Sequence, residues 1–250
     1  MNFQKRKRFI LQMLERTGEA DIKAVATALQ VSEITARRDL NALAEDGLLL
    51  RTHGGALRIP DKPPSYPFAD KAAVNVKAKE AIARRAATEI GDGDTLFLDC
   101  GSTVFHLCRF IKDRKVRIVT NSLPVVEALR DSAADVNIVG GELDRERQAV
   151  HGKMAEYHIR QYHVEKAFLG VDGISVNGLF AHSEKEAALT LAYAANSALN
   201  FLLCDGSKIG RESYLRFAGI DLIGTVVTDA NAESCGFLTA AGITVMHAGS

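Results

Sequence analysis

Tryptophan is missing from this 250-residue chain, aromatic residues make up 6%, and there are only four cysteines and five prolines. Cys100, Cys108, Cys204 and Cys235 lie far apart and form no C-x-x-C pair. That spacing argues against a zinc site or a disulfide framework and fits a reducing compartment. Cys100 and Cys204 sit in apolar runs, as core thiols do. No apolar run approaches the roughly 18 residues that a membrane span needs. The basic start, Met1 to Arg8, is not followed by an apolar signal segment, because Glu15, Arg16 and Glu19 soon follow Ile10 and Leu11. A cytoplasmic protein with no membrane partner is expected. Net charge is lacking too, at zero overall, but its distribution is uneven: up to residue 60 there are ten Lys/Arg against seven Asp/Glu. A basic head on a mildly acidic body suits a DNA-binding segment attached to a domain of another kind.

What is present is an ordinary globular balance, 47% hydrophobic and 25% charged, in a length that suits one small and one medium domain. Four prolines gather in Pro60, Pro63, Pro64 and Pro67, a stretch that cannot sustain a helix or a central strand. The expected division is therefore 1–58, a linker over 59–75, and a second domain over 76–250. There is no internal repeat or low-complexity tract.

Before the linker, Phe9, Ile10, Met13 and Leu14 recur at helical spacing, as do Ile22, Val25, Ala26 and Leu29. Ser32 is a candidate N-cap for a third helix through Ala44, ended by Gly47. Leu48–Arg51 and Ala56–Arg58 read as short strands around Gly54-Gly55. After the linker, strands are expected at 95–99, 116–119, 136–139, 166–171, 200–204, 225–227 and 244–246. Helices are expected between them, at 77–90, 103–111, 124–131 and 184–197. The fold class is α/β: a winged helix-turn-helix, then a doubly wound, largely parallel sheet. Ligands of such sheets bind at the carboxyl ends of the strands.

In the first domain, 22–29 would support and 32–44 would enter the major groove. Ser32, Thr35, Arg37 and Arg38 fall near the start of that helix. Arginine can bond guanine or phosphate bidentately, and threonine can bond base edges. Asp39 is better suited to bracing an arginine or a backbone group, while Arg51 and His53 on the wing could reach phosphate or the minor groove. A three-helix bundle with Arg-Arg-Asp on a solvated face fits the same pattern. In the second domain, Asp99-Cys100-Gly101-Ser102-Thr103 ends a strand and opens a helix, offering backbone N–H groups and hydroxyls to a phosphate, or simply capping the helix. Asn121, Asp172 and Lys208 also follow expected strands, and together these clusters could hold a polyhydroxylated anion.

The stretch Val31 to Leu40, with Leu43, Gly47, Arg51 and His53-Gly54-Gly55-Ala56, resembles the DNA-binding motif of the DeoR/GlpR family of sugar-metabolism regulators. Ala36 stands where that family usually has Ile or Val. The likeness runs from about Lys5 to beyond Lys208. It implies a second domain similar in fold to ribose-5-phosphate isomerase, and a phosphorylated sugar effector whose arrival loosens the grip on double-stranded operator DNA. By the resemblance Gly101, Ser102 and Thr103, beside Asp99, hold phosphate, while Asn121, Asp172, Glu186 and Lys208 address the sugar or its charge; Glu184 competes with Glu186. Leu191 replaces a basic residue usual in the family, and Lys71 an arginine. A homo-oligomer, dimer or tetramer, is expected because one motif covers only a half-site.

Other readings compete with these. His151, His158 and His163 lack nearby cysteines or paired carboxylates, and suit the surface or helix caps better than a metal. Ser102 has no Gly-x-Ser-x-Gly context for a hydrolase. A sugar-phosphate isomerase, with Asp172 or Glu186 as base and Lys208 as electrostatic partner, would not need residues 1–58. The leading expectation is thus a repressor of a carbohydrate-utilisation operon, not an enzyme, with no metal, cofactor or catalytic residue; an activator built from the same parts is the third reading.

Overall fold

The computed structural model describes residues 3–45, 48–52, 54–58 and 67–249. Gly47, His53 and the proline-rich residues 59–66 lie outside the described residues. The chain divides into two compact units, 1–64 and 65–250.

In the first unit α1 (Phe3–Thr17) leads through β1 (Glu19–Asp21) to α2 (Ile22–Leu29) and α3 (Glu33–Glu45), followed by β2 (Leu49–Arg51) and β3 (Gly55–Arg58). The strands form an antiparallel sheet in the order β1-β3-β2. This is a helix-turn-helix with a small wing. The Asp21 carboxylate accepts the Ala24 N–H at 2.9 Å and so caps α2. Gln30 ends that helix in the left-handed region, at φ 53°. Ser32 then accepts the Thr35 N–H at 3.2 Å, capping α3. Ile10, Leu14, Val25, Leu29, Ala36, Leu40 and Leu43, spaced for one face of each helix, meet in a single core. Strand β1 was not expected from the sequence. It fits because Gly55 lies against it: a Cβ there would stand 2.2 Å from the Ala20 carbonyl oxygen, so any side chain would push the wing away.

The second unit opens with α4 (Phe68–Ala73) and α5 (Val76–Ala87), then β4 (Thr95–Leu98), α6 (Ser102–Phe105), α7 (Cys108–Ile111), β5 (Arg117–Thr120), α8 (Leu123–Leu129) and β6 (Asp135–Ile138). A hairpin of β7 (Glu142–Asp144) and β8 (Ala149–His151) precedes α9 (Lys153–Ile159) and β9 (Val164–Leu169). Then come β10 (Gly173–Ser175), β11 (Gly178–Ala181), α10 (Glu184–Ala195), β12 (Ser197–Leu203), β13 (Leu215–Ala218), β14 (Thr225–Thr228), α11 (Gly236–Ala240) and β15 (Thr244–His247).

The seven strands expected from the apolar runs form one parallel sheet, ordered β15-β14-β12-β9-β4-β5-β6. Both faces are buried along the inner strands, though not at the edge strands β6 and β15, and alternate residues divide between them. Phe97, Leu169 and Leu202 face α9, α10 and α11, while Leu96, Leu98, Phe168 and Leu203 face α5 to α8. The chain runs outward from β4 to β6 and returns to β9 on the other side of β4, so the topological switch point lies between β4 and β9. A smaller antiparallel sheet, β10-β11-β13, adjoins the main one.

Two expectations are corrected here. Residues 68–75 are not linker: Phe68 is buried and packs edge-on against Phe105, with ring centroids 5.4 Å apart, which gives the short α4 an anchor. The single helix expected over 103–111 is broken at 106–107. There the His106 and Leu107 N–H groups bond three residues back, to Thr103 and Val104, and tighten the turn.

Candidate functional site

On α3 the two sides of the helix carry different chemistry. Asp39 faces inward and takes a fork from Arg6, Nε to Oδ2 at 2.6 Å and Nη2 to Oδ1 at 2.9 Å, which ties α1 to α3. The hydrogen bond that Arg6 donates to Asp39 is the main reason the Arg6 guanidinium lies above its ordinary value. Asp39 thus braces an arginine, as its position suggested. Arg37 and Arg38 face out, exposed and without an ion pair among the described residues. Beside them Ile34 is 81% exposed, an apolar side chain left in solvent at the start of the helix. It was not singled out in the sequence, although an apolar residue opposite Ala36 and Leu40 is the signal that could have marked it. Thr35 is half-buried, with its hydroxyl 3.0 Å from Ser32 Oγ. Arg51 bonds Asn41 Oδ1 at 2.8 Å and the Thr52 carbonyl at 3.1 Å, which fixes β2 to α3.

In the second unit a cavity of about 260 Å³ opens where β4, β9 and β12 end, at the switch point. Asp99, Gly101, Ser102, Thr103, Asp172, Glu186 and Lys208 all line it. Asp99 closes the floor. Its carboxylate accepts the Cys100 N–H at 2.7 Å and the Gly170 N–H at 3.1 Å, and burial nevertheless pushes its carboxyl up. Gly101 and Gly170 touch back to back: a Cβ on Gly101 would lie 3.3 Å from Gly170 Cα.

Asn121 is the exception and is corrected: it does not line the cavity. The β7–β8 hairpin covers it, its amide donates to the Val150 carbonyl at 3.0 Å, and it accepts from the Tyr193 hydroxyl at 3.2 Å. His151, expected at the surface or in a cap, is 1% exposed because β8 is covered on both sides, and its ring nitrogens have no hydrogen-bond partner. His158 Nδ1 accepts the Gly140 N–H at 3.2 Å, and His163 is exposed. Leu191 is 37% exposed and outside the cavity lining, so its departure from the family pattern does not touch a ligand there.

Several lining residues were not anticipated. Lys71 donates to Asp172 Oδ1 at 2.6 Å, Arg147 pairs with Glu186, Lys79 donates to the Lys71 carbonyl, and Asn75 bonds Asp205 at 3.1 Å. Lys79 had a readable signal: it shares the buried stripe of α5 with Ile82, Ala83 and Ala86, where a lysine is out of place. Burial lowers the Lys79 ammonium, and its neighbours Lys208 and Lys71 lower it further against the pull of Asp205. Lys208 is lowered in the same way, by burial and then by Lys71 and Arg211, against Asp172 and Asp205. Burial works against the charge of Asp172, but Lys71 outweighs it and holds the carboxyl below its ordinary value. Arg147 is raised despite its burial, chiefly by Glu186.

An exposed double arginine on a helix-turn-helix, and a second unit with a cavity lined by cations and carboxylates at the switch point of an α/β sheet, fit a DNA-binding regulator. Residues 6–62 match the DeoR-like helix-turn-helix domain, and residues 74–230 the DeoR C terminal sensor domain. The lactose phosphotransferase system repressor of Lactococcus lactis subsp. lactis is 38% identical over 234 residues, covering 92% of each chain. The glycerol-3-phosphate regulon repressor of Escherichia coli (strain K12) is 34% identical over 227 residues, covering 88% of each. The HTH-type transcriptional regulator GlpR of Haloferax volcanii is 32% identical over 245 residues, covering 96% of each. Among solved structures, ribose 5-phosphate isomerase A from Methanocaldococcus jannaschii matches 54% of each chain at 17% identity and TM-score 0.40. The sorbitol operon regulator SorC from Klebsiella pneumoniae matches 94% of this chain and 98% of its own at 11% identity and TM-score 0.40.

The chain belongs to the DeoR family of helix-turn-helix transcriptional regulators, and it is a regulator rather than an enzyme.

Proposed function

We propose that the chain represses a carbohydrate-utilisation operon and leaves its operator when a phosphorylated sugar fills the cavity. The observation that carries this reading is the convergence of Lys79 and Lys208 on one cavity at the switch point, where burial and neighbouring cations lower both ammoniums. Their charges are costly there because burial and mutual repulsion act together, and a bound phosphate relieves both. The hydroxyls of Ser102 and Thr103 add donors to the same anion. Asp172 and Glu186 are acceptors for sugar hydroxyls, with Asp99 behind them, which favours a polyol over a bare anion. The names of two relatives, a lactose phosphotransferase system repressor and a glycerol-3-phosphate regulon repressor, point to the same ligand class.

At the other end, Arg37 and Arg38 would contact base edges and phosphates of double-stranded DNA, with Ser32, Thr35, Arg51 and His53 on the flanking backbone. One such unit covers a half-site, so a dimer or tetramer would read the operator. Among the described residues no helix is long and apolar enough to cross a membrane.

The test uses the full-length protein and duplex DNA that it selects from a random pool. Its melting temperature and DNA affinity are measured with glucose 6-phosphate, galactose 6-phosphate, fructose 1-phosphate and glycerol 3-phosphate, each beside its unphosphorylated parent. At least one phosphate ester should raise the melting temperature and release the DNA, while its parent does neither. Release by unphosphorylated sugars alone would refute the ligand class, and failure to select any DNA would refute the reading as a whole.

A further inference from the structure

Helix α4 is the first element of the second unit, and besides the packing of Phe68 on Phe105 several polar side-chain bonds that hold it and the start of α5 end on the cavity. Lys71 Nζ meets Asp172 Oδ1 at 2.6 Å, with side-chain exposures of 18% and 8%. Lys79 grips the α4 carbonyl of Lys71, and Asn75 reaches Asp205. The Phe68 N–H donates at 2.9 Å to the carbonyl of Glu146, the residue before Arg147. A ligand that uses Asp172 or Lys79 therefore competes with α4 for them. The helix has little strength of its own: it is six residues long and Pro67 gives it no side-chain cap, so its place depends on these bonds together with the Phe68 contact.

We propose that α4 is the element that couples the cavity to DNA binding: a phosphorylated sugar takes Asp172 with its hydroxyls and Lys79 with its anion, and α4, having lost these two of its tethers, undocks. This rests on the ligand class proposed above. Asp172 is not stranded by the exchange. It keeps the His182 N–H at 3.0 Å, and Lys208 remains within its field. In sequence α4 comes directly after the DNA-binding unit and its proline-rich segment, so its release lengthens the stretch of chain between the last strand of that unit and the first anchored element of the second. The ligand favours the undocked state because it occupies, in that state alone, groups that the docked state reserves for α4.

Hydrogen exchange on the full-length protein tests this, with the phosphate ester from the panel that gives the largest thermal shift and inorganic phosphate as reference. Amides of 68–73 should exchange several-fold faster with the ester bound, while those of 99–105 and 170–172 slow. Lys71→Met should show fast exchange at 68–73 without any ligand, bind the selected DNA at least several-fold more weakly, and lose most of the further release by the ester. Lys71→Arg should restore wild-type behaviour. The double variant Lys71→Met, Asp172→Asn leaves no buried carboxylate unpaired, and should match Lys71→Met in exchange and DNA affinity if the effect is undocking rather than misfolding. Lys71→Met with wild-type DNA affinity overturns the proposal whether or not any ester binds. So does an ester that releases DNA while 68–73 exchange no faster. If no ester shifts the melting temperature, the ligand class fails, and the ligand-free arm still decides the role of α4.

Discussion

The recognition helix and the cavity carry similar charges in opposite settings. On α3, Arg37 and Arg38 stand in water, while in the cavity Lys71, Arg147, Asp172 and Glu186 are paired and largely desolvated. An exposed guanidinium costs little to maintain and is immediately available to a polyanion whose field reaches beyond contact. A buried lysine stays charged only against the cost of its burial, so its state responds to what enters. The first arrangement suits a surface for a large, ever-present polyanion, the second a detector for a small one.

The harshest way to break this contrast is to strip the braced charge from α3. Asp39→Ala leaves Arg6 without its fork and should destabilise the first unit by about 3 kcal/mol, seen as an earlier unfolding step while ester binding by the second unit persists. Arg38→Ala should cost about 1–3 kcal/mol of DNA affinity and reduce its salt dependence, with the thermal shift by the ester unchanged; loss of both would mean that Arg38 serves the fold.

Lys208→Met sharpens the other side. Removing a depressed ammonium should raise the melting temperature of the unliganded protein by about 2–4 °C for each kcal/mol relieved, while the response to the ester falls. The pH dependence follows with the same sign. Because Lys79 and Lys208 lie below the ordinary lysine value when folded, the unfolded chain holds more protons between the two values. Unliganded stability therefore rises with pH across that window, and affinity for the anion falls. A titration by calorimetry showing stability falling there would contradict the burial of these cations. Asp172 acts in the opposite range, its stabilising share present above the ordinary carboxylate value and lost as the pH drops through its lowered one. The smallest effect is expected at Ile34. Ile34→Ser should weaken binding by about 1 kcal/mol, and only on DNA that presents a thymine methyl to that position.

Most of the framework was legible in the sequence because both faces of the main sheet are buried along its inner strands. Its strands are near-continuous apolar runs such as Leu96-Phe97-Leu98 and Phe201-Leu202-Leu203, which need no long-range knowledge to recognise. Elements without such runs escaped. Strand β1 is Glu-Ala-Asp, held in place by the approach of Gly55, and α4 follows directly on a proline and owes its place to Phe105 and Asp172. The cavity follows the same division. Gly101 to Thr103, Asp172 and Lys208 were legible because each follows a strand, and Glu186 because the family resemblance pointed to it. Lys71 and Arg147 were not, because their partners lie far away in sequence, 101 residues from Lys71 to Asp172. Asn121 misled for the reverse reason: it follows a strand as the others do, but the hairpin that covers it has no local signature.

The contact between Gly101 and Gly170 limits how this pocket can be retuned. With two main chains this close at the base of the cavity, a methyl group at either position would press on the opposite backbone and disturb the bond from Gly170 to Asp99. Any change in what the cavity accepts is therefore easier to make in the walls, at positions such as Ser207, Arg211 and Phe217, than at its base.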